Sequence, residues 1–491
     1  MVNYFNLTAS EKIEEFKTND ITAIQIVEHA LDAIEKTESQ LDAFLTVMTN
    51  EAKAQALDID SRKATGERLG ALAGTVIAIK DNMASLDIKT TCGSKILENW
   101  ISPYDASVVT KLKNADAIII GKTNMDEFAM GSSTENSAFK ITKNPHDTSR
   151  VPGGSSGGSA AVVAAGVVDF SLGSDTGGSI RQPASFTGLV GVKPTYGRVS
   201  RYGLVAFGSS LDQIGPFARN VSDAALLLDV ISGYDDRDST SIQQNYDALV
   251  DKVKDSKGIS GLRVGIISEL AGPEGFQKEV LDAFNKTVRE LENQGAKVDS
   301  VSIPSAAFGI SAYYIIAPAE ASSNLARFDG MRYGLRVEES TSAKTNEATR
   351  EEGFGEEVKR RIMLGTYALS AGYYDAFYAQ AQKVRTVMMA EFAKAYENFD
   401  VLLCPTTPTT AFSVGANDDD PMQMYLNDLC TIPTNLVGAC AISVPVGVDE
   451  NSLPIGIQVC APPLDEEVIF DVAKAIERTS NYSTKPQVYA S

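Results

Sequence analysis

The stretch GGSSGGSAAVVAAGVVDFSLGSDTGGSIR, at residues 153–181, is the part of the sequence that decides the fold. Glycine and serine are concentrated at its two ends, in residues 153–159 and 173–181. The alanine-rich run at 159–165 predicts a helix, and the apolar run at 167–172 predicts a strand. The stretch is therefore typical of an α/β fold, in which loops, helices and buried strands alternate.

The same alternation extends outward from this stretch in both directions. Short apolar runs at residues 76–79 and 117–120 predict buried strands, and Thr8 with Glu11 forms a capping box ahead of the N-terminal helices. A charged stretch at 344–355 is interpreted as a solvated face or a lid. Further strands are predicted at residues 262–267, 401–403, 441–446 and 454–459, and further helices at 279–292 and 466–476. The predicted fold class is α/β.

The composition limits the classes of protein to which the chain can belong. Its 491 residues are 43% hydrophobic and 22% charged, which is typical of a folded globular enzyme. A net charge of -20, from 44 lysines and arginines against 64 aspartates and glutamates, argues against direct binding of nucleic acid. We expect no signal or transit peptide in the first 30 residues, and no apolar run reaches the roughly 20 residues that span a bilayer.

The cysteines form an odd set of five without a C-x-x-C pair. The sequence therefore predicts neither a disulfide framework nor a thiolate zinc site, and we expect each cysteine to be a small buried residue. This usage fits a reducing compartment, so we expect the protein in the cytoplasm. The five are Cys92, Cys404, Cys430, Cys440 and Cys460.

Histidine is nearly absent, because the chain contains only His29 and His146. His29 lies in a predicted amphipathic helix, and His146 follows Asn144 and Pro145 in a predicted turn. Structural roles are favoured for both. If the protein is a serine hydrolase, histidine is therefore an improbable general base.

Serine chemistry is indicated by the two clusters of glycine and serine. The first has a G-x-S-x-G match at Ser155, but the nucleophile elbow with that motif needs a strand before it and a histidine after it, and neither is predicted. The second cluster directly follows a predicted strand. Its glycines allow backbone N–H groups to turn inward beside Ser179, as an oxyanion hole requires. A plain glycine turn explains the cluster equally well.

Lys80 is the candidate general base. It follows the apolar run at 76–79, and burial at the end of a strand lowers the pKa of a lysine until the amine can act as a neutral base. The alternative is a lysine that reaches solvent from the end of its strand. Position in the sequence does not separate the two.

Taken together, the two clusters and the upstream Lys80 resemble the amidase signature family. The resemblance implies an amidase-signature fold, with a large mixed β-sheet core flanked by helices on both faces. It also implies a single amidase domain over residues 1–491, with the signature core at about 70–220, an N-terminal helical segment at about 8–65 and a C-terminal elaboration at about 260–491.

The resemblance further implies a Ser-Ser-Lys triad of Lys80, Ser155 and Ser179, in which Ser155 has a cis peptide bond and links Lys80 to Ser179 by hydrogen bonds. Lys80 takes a proton through Ser155, and Ser179 attacks the amide to give a covalent acyl-enzyme. Backbone N–H groups of the second cluster stabilise the oxyanion. These belong to Thr176, Gly177 and Gly178, and extend to Ser179 itself.

Three further segments resemble the branch of this family that takes ammonia from glutamine for the amidation of glutamate or aspartate attached to tRNA. They lie at residues 320–330, 353–361 and 425–429. The resemblance implies that Arg361 binds the α-carboxylate of glutamine and Asp428 its α-ammonium group. Tyr313 lines the pocket, with the neighbouring Tyr314 as the alternative.

The resemblance also implies partners. A larger subunit would bind tRNA and use ATP with Mg²⁺, a small subunit would brace the interface, and this chain would hold no cofactor and contact no membrane. The polar run at residues 124–127, which ends at Glu127, is a candidate mouth for an ammonia channel. A stand-alone amidase of small amides and a catalytically silent scaffold stay open as alternatives, and the choice between tRNA-bound glutamate and aspartate would lie with the partner.

Overall fold

The protein, as a computed structural model, is described at residues 7–18, 20–272, 275–416, 421–480 and 482–490. The strands are β1 (Phe44–Val47), β2 (Val76–Lys80), β3 (Ile118–Thr123), β4 (Phe170–Asp175), β5 (Val190–Lys193), β6 (Gln213–Ala218), β7 (Arg263–Ile267), β8 (Lys297–Val301), β9 (Val401–Pro405), β10 (Cys440–Val448) and β11 (Pro454–Ala461). The helices of the N-terminal half are α1 (Ala9–Thr18), α2 (Ala23–Leu41), α3 (Thr49–Ala64), α4 (Ser107–Asn114), α5 (Gly157–Ala164), α6 (Arg181–Thr187), α7 (Val221–Ile231) and α8 (Leu249–Lys254). Those of the C-terminal half are α9 (Lys278–Asn293), α10 (Gly309–Asn324), α11 (Ser342–Gly353), α12 (Glu356–Leu369), α13 (Tyr378–Asn398), α14 (Pro421–Leu426), α15 (Ile432–Leu436) and α16 (Glu466–Ser480).

The strands form one mixed sheet of eleven strands in the order β1-β3-β2-β4-β6-β5-β10-β11-β9-β7-β8. Parallel pairs join β2 to β3 and β4, and join β7 to β8 and β9. The remaining pairs are antiparallel, including the hairpin of β10 and β11, which pairs with β5 on one side and β9 on the other. The fold is therefore α/β with a large mixed sheet, as predicted.

Helices cover both faces of the sheet, because alternate side chains of a buried strand point to opposite faces. In β2, Ile77 and Ile79 pack in a core with α4, α7, α9 and α16. Val76 and Ala78 pack in a second core with α2, α3 and α5. A third core joins α10, α12 and α13 to β9 and β11. The prediction of helices on both faces is confirmed.

Most predicted elements lie within a few residues of their observed bounds. The capping box is confirmed, since the Thr8 N–H donates to Glu11 Oε2 at 2.9 Å and the Glu11 N–H to Thr8 Oγ1 at 3.3 Å. The strand predicted at 167–172 begins later, at Phe170, and ends at Asp175. The charged stretch at 344–355 is largely helix α11, in which half of the residues are exposed and the others are partly or fully buried.

The cysteines are all buried free thiols, as predicted. Burial raises the pKa of Cys92 well above its ordinary value, so this thiol stays protonated. Among the helices of the described ranges, none combines the length and the apolar character that crossing a membrane requires.

Candidate active site

The candidate site lies where two neighbouring parallel strands end. Lys80 is the last residue of β2 and Asp175 the last residue of β4, and these strands pair in register, with Ile79 opposite Leu172. Because carboxyl ends of parallel strands meet at one edge of a sheet, the loop that follows β4 starts beside Lys80. That loop, residues 176–180, contains Ser179 and leads into α6.

Lys80 is completely buried and surrounded by hydroxyl groups. Its Nζ atom lies 2.7 Å from Ser155 Oγ, 2.8 Å from Ser156 Oγ and 2.9 Å from Ser174 Oγ. Burial lowers the pKa of Lys80 to about 7, against the opposing charges of nearby carboxylates. A large fraction of the amine is therefore neutral near pH 7. The structure thus excludes the alternative of a lysine that reaches solvent.

Ser155 is brought against Lys80, and the peptide bond between Gly154 and Ser155 is cis. Ser155 is completely buried, whereas Ser179 is 9% exposed and is the member of the predicted triad nearest to solvent. In the part of the chain that the structure describes, no hydrogen bond joins Ser155 to Ser179. The structure therefore places Ser155 at Lys80 and Ser179 in the adjoining loop.

The predicted oxyanion-hole residues lie in the same loop as Ser179, but their N–H groups are not equivalent. The Gly178 N–H donates to Asp175 Oδ1 at 2.9 Å, so this donor already has a protein acceptor. The N–H groups of Thr176, Gly177 and Ser179 have no acceptor among the described residues. These three donors are therefore free to face a developing oxyanion.

Asp175 organises this loop, a role that the sequence analysis did not predict. Its carboxylate pairs with Arg181, with Nη2 to Oδ1 at 3.0 Å, and both side chains are completely buried. It also accepts the N–H of Ile180 at 3.2 Å and the side-chain amide of Asn435 at 2.8 Å. Burial alone would raise the pKa of Asp175, but the charge of Arg181 lowers this pKa to about 2. The loop is therefore held by a permanently charged carboxylate.

Tyr313 packs directly on the loop at residues 176–180, at Gly177. A Cβ atom added at Gly177 would lie 2.8 Å from Tyr313 Cζ and 2.9 Å from its hydroxyl oxygen, so only glycine fits here. Thr431 holds the loop from another side, since its hydroxyl donates to the Gly177 carbonyl at 2.7 Å. The predicted residue Tyr313, rather than Tyr314, therefore contacts this loop.

Asp428 lies close to the same loop, because the Thr431 N–H donates to its carbonyl oxygen at 3.2 Å. Its carboxylate is buried, and Oδ1 has no hydrogen-bond partner among the described residues. Burial raises the pKa of Asp428 to about 8, against the opposing charge of Arg361. A buried carboxyl group with one oxygen left without a partner is suited to a cationic ligand, since a nearby positive charge lowers its pKa again.

Arg361 is the buried cation of the site, with 2% of its surface exposed. Its Nε donates to Glu357 Oε1 at 2.7 Å and its Nη2 to the Gly131 carbonyl at 2.7 Å. Its charge acts on the pKa of both Tyr313 and Asp428. The three residues that sequence resemblance assigned to glutamine therefore lie together, with a cation and a buried carboxyl group beside the loop that contains Ser179.

Glu127, the candidate channel mouth, has both carboxylate oxygens occupied. It accepts the hydroxyl of Ser94 and, at 2.8 Å, the N–H of Gly355, and it is 2% exposed. Its neighbour Asp126 accepts the N–H of Thr134 at 2.8 Å. These contacts give Glu127 a role in joining loops, which is separate from the prediction of a channel.

Several residues that build the site were missed in the sequence. Ser156 and Ser174 contact Lys80 but have no motif role of their own, although Ser156 adjoins Ser155 and Ser174 lies within the second cluster. Glu357 lies four residues before Arg361, and this helical spacing was an available signal. The side chain of His146 makes a hydrogen bond from Nε2 to the Thr187 carbonyl at 3.1 Å, as expected for a structural role.

Comparison with known proteins identifies related sequences over nearly the whole chain. The profile of the family described as Amidase matches residues 25–470. A protein from Streptomyces avermitilis, named as the A subunit of glutamyl-tRNA(Gln) amidotransferase, is 54% identical over 480 residues, which cover 97% of this chain and 95% of the relative. A protein with the same name from Trichodesmium erythraeum is 53% identical over 470 residues, which cover 95% and 97%.

Solved structures have the same fold. The crystal structure of the glutamyl-tRNA(Gln) amidotransferase A subunit from Thermotoga maritima has a TM-score of 0.82 at 42% identity, and the match covers 100% of this chain and 99% of that one. A bacterial aryl acylamidase, described as belonging to the amidase signature enzymes, has a TM-score of 0.85 at 26% identity over 97% and 96% of the two chains. The fold therefore occurs in enzymes that differ in substrate.

Proposed function

This chain is an enzyme of the amidase family, and from that premise we propose that it releases ammonia from glutamine within a tRNA amidotransferase. A partner subunit uses the ammonia for the transamidation of misacylated Glu-tRNA(Gln). The proposal extends to Asp-tRNA(Asn) as a second substrate of that subunit. The single observation that carries the proposal is the buried guanidinium group of Arg361 together with the buried carboxyl group of Asp428, beside the Ser179 loop. A free amino acid with a side-chain amide requires such a pair.

The first half of the reaction forms an acyl-enzyme. The Ser179 hydroxyl attacks the side-chain amide carbon of glutamine, and its proton passes through the Ser155 hydroxyl to the neutral amine of Lys80. The carbonyl oxygen becomes an oxyanion, which accepts hydrogen bonds from the N–H groups of Thr176, Gly177 and Ser179. The C–N bond then breaks, and protonated Lys80 returns the proton through Ser155, so that ammonia leaves.

The second half frees the enzyme. Water attacks the ester that joins the glutamyl group to Ser179, and Lys80 accepts a proton from that water through Ser155. Collapse of the second tetrahedral intermediate breaks the ester bond, and Lys80 returns the proton to Ser179. Glutamate is released, and each proton that Lys80 takes up is returned within one half-reaction.

Recognition of glutamine follows from the charges around the loop. Arg361 binds the α-carboxylate, and Asp428 accepts hydrogen bonds from the α-ammonium group, which supplies the partner that Oδ1 lacks. Tyr313 closes the pocket against Gly177. A neutral amide uses neither charge, so the arrangement favours an amino acid amide over simple amides.

The partners supply what this chain lacks. A larger subunit binds tRNA and uses ATP with Mg²⁺ to activate the tRNA-bound carboxylate, and a small subunit braces the interface, which gives a heterotrimer in the cytoplasm. The multi-subunit names of the relatives support an assembly of this kind. The net charge of -20 supports tRNA binding by the partner rather than by this chain.

The test measures ammonia release from glutamine by the purified chain, alone and co-expressed with its partners. Wild type in the complex should hydrolyse glutamine, and Ser179→Ala should lower kcat/KM by at least about 10³-fold, because no other hydroxyl replaces the nucleophile. Ser222→Ala is the matched control, since Ser222 lies in α7 and contacts Lys474 at 3.2 Å rather than the site. It should leave the rate unchanged.

Two outcomes would contradict the proposal. Efficient hydrolysis of simple amides by the chain alone, with no preference for glutamine, would favour a stand-alone amidase of the same family. Ammonia release that survives Ser179→Ala would remove Ser179 as the nucleophile.

A further inference from the structure

Arg361 is held in place by a carboxylate of its own helix. Glu357 and Arg361 are four residues apart in α12, and the Arg361 Nε donates to Glu357 Oε1 at 2.7 Å. Glu357 is 5% exposed and Arg361 is 2% exposed, so water does not screen the pair. The Gly131 carbonyl fixes the other side of the guanidinium group through Nη2.

Aromatic side chains hold Glu357 and Arg361 in their paired positions. The Tyr425 hydroxyl donates to the same Glu357 oxygen at 2.8 Å, and the Tyr425 ring stacks on Tyr314 at a centroid distance of 3.9 Å. The Arg361 guanidinium lies 5.1 Å from the Tyr314 ring centroid and 5.5 Å from that of Tyr425. The other oxygen of Glu357 accepts from Arg360. Glu357 is therefore held by Tyr425 and both arginines.

These contacts determine which nitrogens of Arg361 remain for a ligand. A guanidinium group has five N–H donors in a rigid plane, and the bonds to Glu357 and Gly131 use one on Nε and one on Nη2. Nη1 has no acceptor among the described residues. The free edge, formed by Nη1 and the second N–H of Nη2, has the geometry for two parallel bonds to one carboxylate.

We propose that Glu357 is a positioning residue that aims this free edge at the α-carboxylate of the substrate. The inference rests on the proposed function, because it assigns the free edge of Arg361 to glutamine. Glu357 does not touch the substrate. It acts through the Nε bond, which fixes the rotation of the guanidinium plane and so determines where two carboxylate oxygens can be bound together.

Two analogues of glutamine distinguish a positioning role of Glu357 from a general loss of structure. Glutaramate lacks the α-ammonium group but keeps the carboxylate, and 4-aminobutanamide lacks the carboxylate but keeps the ammonium group. Both are tested as competitive inhibitors of glutamine hydrolysis by the complex with its partners, so neither has to be a substrate. Only glutamine and glutaramate depend on the orientation of Arg361.

Glu357→Ala removes the acceptor for Nε. We expect a rise of about tenfold or more in the KM for glutamine and in the inhibition constant of glutaramate, with kcat and the inhibition constant of 4-aminobutanamide within about twofold of wild type. Glu357→Gln keeps an acceptor oxygen and removes the charge, and should restore the KM to within about threefold of wild type. In an Arg361→Ala background, Glu357→Ala should have no additional effect.

Tyr425→Phe is a second, milder variant for the case in which Glu357→Ala fails to fold. It removes one hydrogen bond to Glu357 and keeps the ring, so the same two constants should rise by a smaller factor, about twofold to fivefold. The matched control is Glu466→Ala. Glu466 forms a buried pair with Arg198 at 2.6 Å and also accepts the Thr195 N–H at 2.8 Å, with no contact to the candidate site among the described residues.

The control variant should change thermal stability but leave the ratio of the two inhibition constants as in wild type. An unchanged or lower KM in Glu357→Ala would overturn the positioning role, and so would an equal change in all three constants. Failure of the proposed function is a different result, because wild-type complex would then release no ammonia from glutamine at all.

Discussion

Lys80 has a buried amine whose only close contacts among the described residues are hydroxyl groups and a carbonyl oxygen, so its protonation state should control the rate. Burial lowers the pKa of Lys80 to about 7. Only the neutral amine accepts a proton, and its fraction increases as the pH rises through 7. For a substrate without an ammonium group, we therefore expect kcat/KM to increase about tenfold per pH unit well below pH 7 and to level off above it. A pH-rate profile measures this directly.

Asp428 should add a second pH dependence that applies to glutamine alone. In the free enzyme burial raises the pKa of this carboxyl to about 8, and only the ionised form attracts an ammonium group. For glutamine, kcat/KM should therefore continue to rise until about pH 8. In Asp428→Asn, only the transition near pH 7 should remain, and KM should rise by at least about tenfold.

The control for this second transition is a substrate without an ammonium group. Glutaramate hydrolysis by wild type should show the transition near pH 7 alone, because Asp428 has no positive charge to bind. A profile for glutamine that is unchanged by Asp428→Asn would contradict the assignment of the ammonium group to this residue.

At the scale of single residues, sequence reasoning predicted Lys80 from the end of a strand and Ser179 from the glycine-rich loop after one, whereas Ser155 was assigned by the family resemblance. Sequence reasoning did not identify Ser174, whose hydroxyl faces Lys80 only because β4 extends to Asp175. Nor did it identify Glu357, since the spacing of four residues to Arg361 is common on any helix. Which of two adjacent polar residues faces inward depends on strand register, and composition does not determine register.

At the scale of secondary-structure elements, α12 begins at a junction made by a different loop. Glu127 accepts the N–H of Gly355, the residue before the helix, and the hydroxyl of Ser94. Glu127→Ala leaves both buried donors without this acceptor, which should lower the free energy of unfolding by about 2 kcal/mol. Thermal or urea unfolding measures the loss.

Glu127→Gln should behave differently, because an amide retains an acceptor for Gly355 and a partner for Ser94. Burial raises the pKa of Glu127 from its ordinary 4.5 to about 7. The stability that the protonated group contributes is complete below about pH 4.5 and is lost as the pH rises through 7. The melting temperature of Glu127→Gln relative to wild type should therefore increase between about pH 4.5 and about pH 7, and the difference should be constant above about pH 8. A constant difference between about pH 4.5 and about pH 7 would show that Glu127 does not titrate in this range.

The elements that the sequence predicted best are long or strongly patterned, such as α2, α9 and the strands β10 and β11. The short strands β1, β5 and β6 were not predicted. Each has only four to six residues, and glycine or proline interrupts β5 and β6. Such strands are stabilised by pairing with strands that are distant in the sequence. The local sequence therefore does not predict them.

At the scale of the whole molecule, the net charge of -20 predicts how the chain behaves toward tRNA. Binding to a phosphate backbone releases counterions only where basic side chains replace them. We expect fluorescence anisotropy of labelled tRNA to remain unchanged when the chain is added alone at about 150 mM salt, and to rise with the assembled complex. Salt-sensitive binding by the chain alone would contradict this prediction.

The class of the sheet was predictable, whereas its order was not. Alternating helices and strands, with the family resemblance, indicated a large mixed sheet. The insertion of the β10–β11 hairpin between β5 and β9 depends on contacts between residues more than two hundred positions apart, such as Ala441 opposite Lys193.

That hairpin has a consequence for how the protein is made. Strands β1 to β6 form one side of the sheet and β7 to β9 the other, and only β10 and β11 join them. A ribosome therefore completes the loop that contains Ser179 long before it produces the hairpin, and until then β5 and β9 have no neighbour on the side where the hairpin later pairs. Exposed edges recruit other strands, so the hairpin, which is the last part of the sheet to be synthesised, covers two edges that favour aggregation.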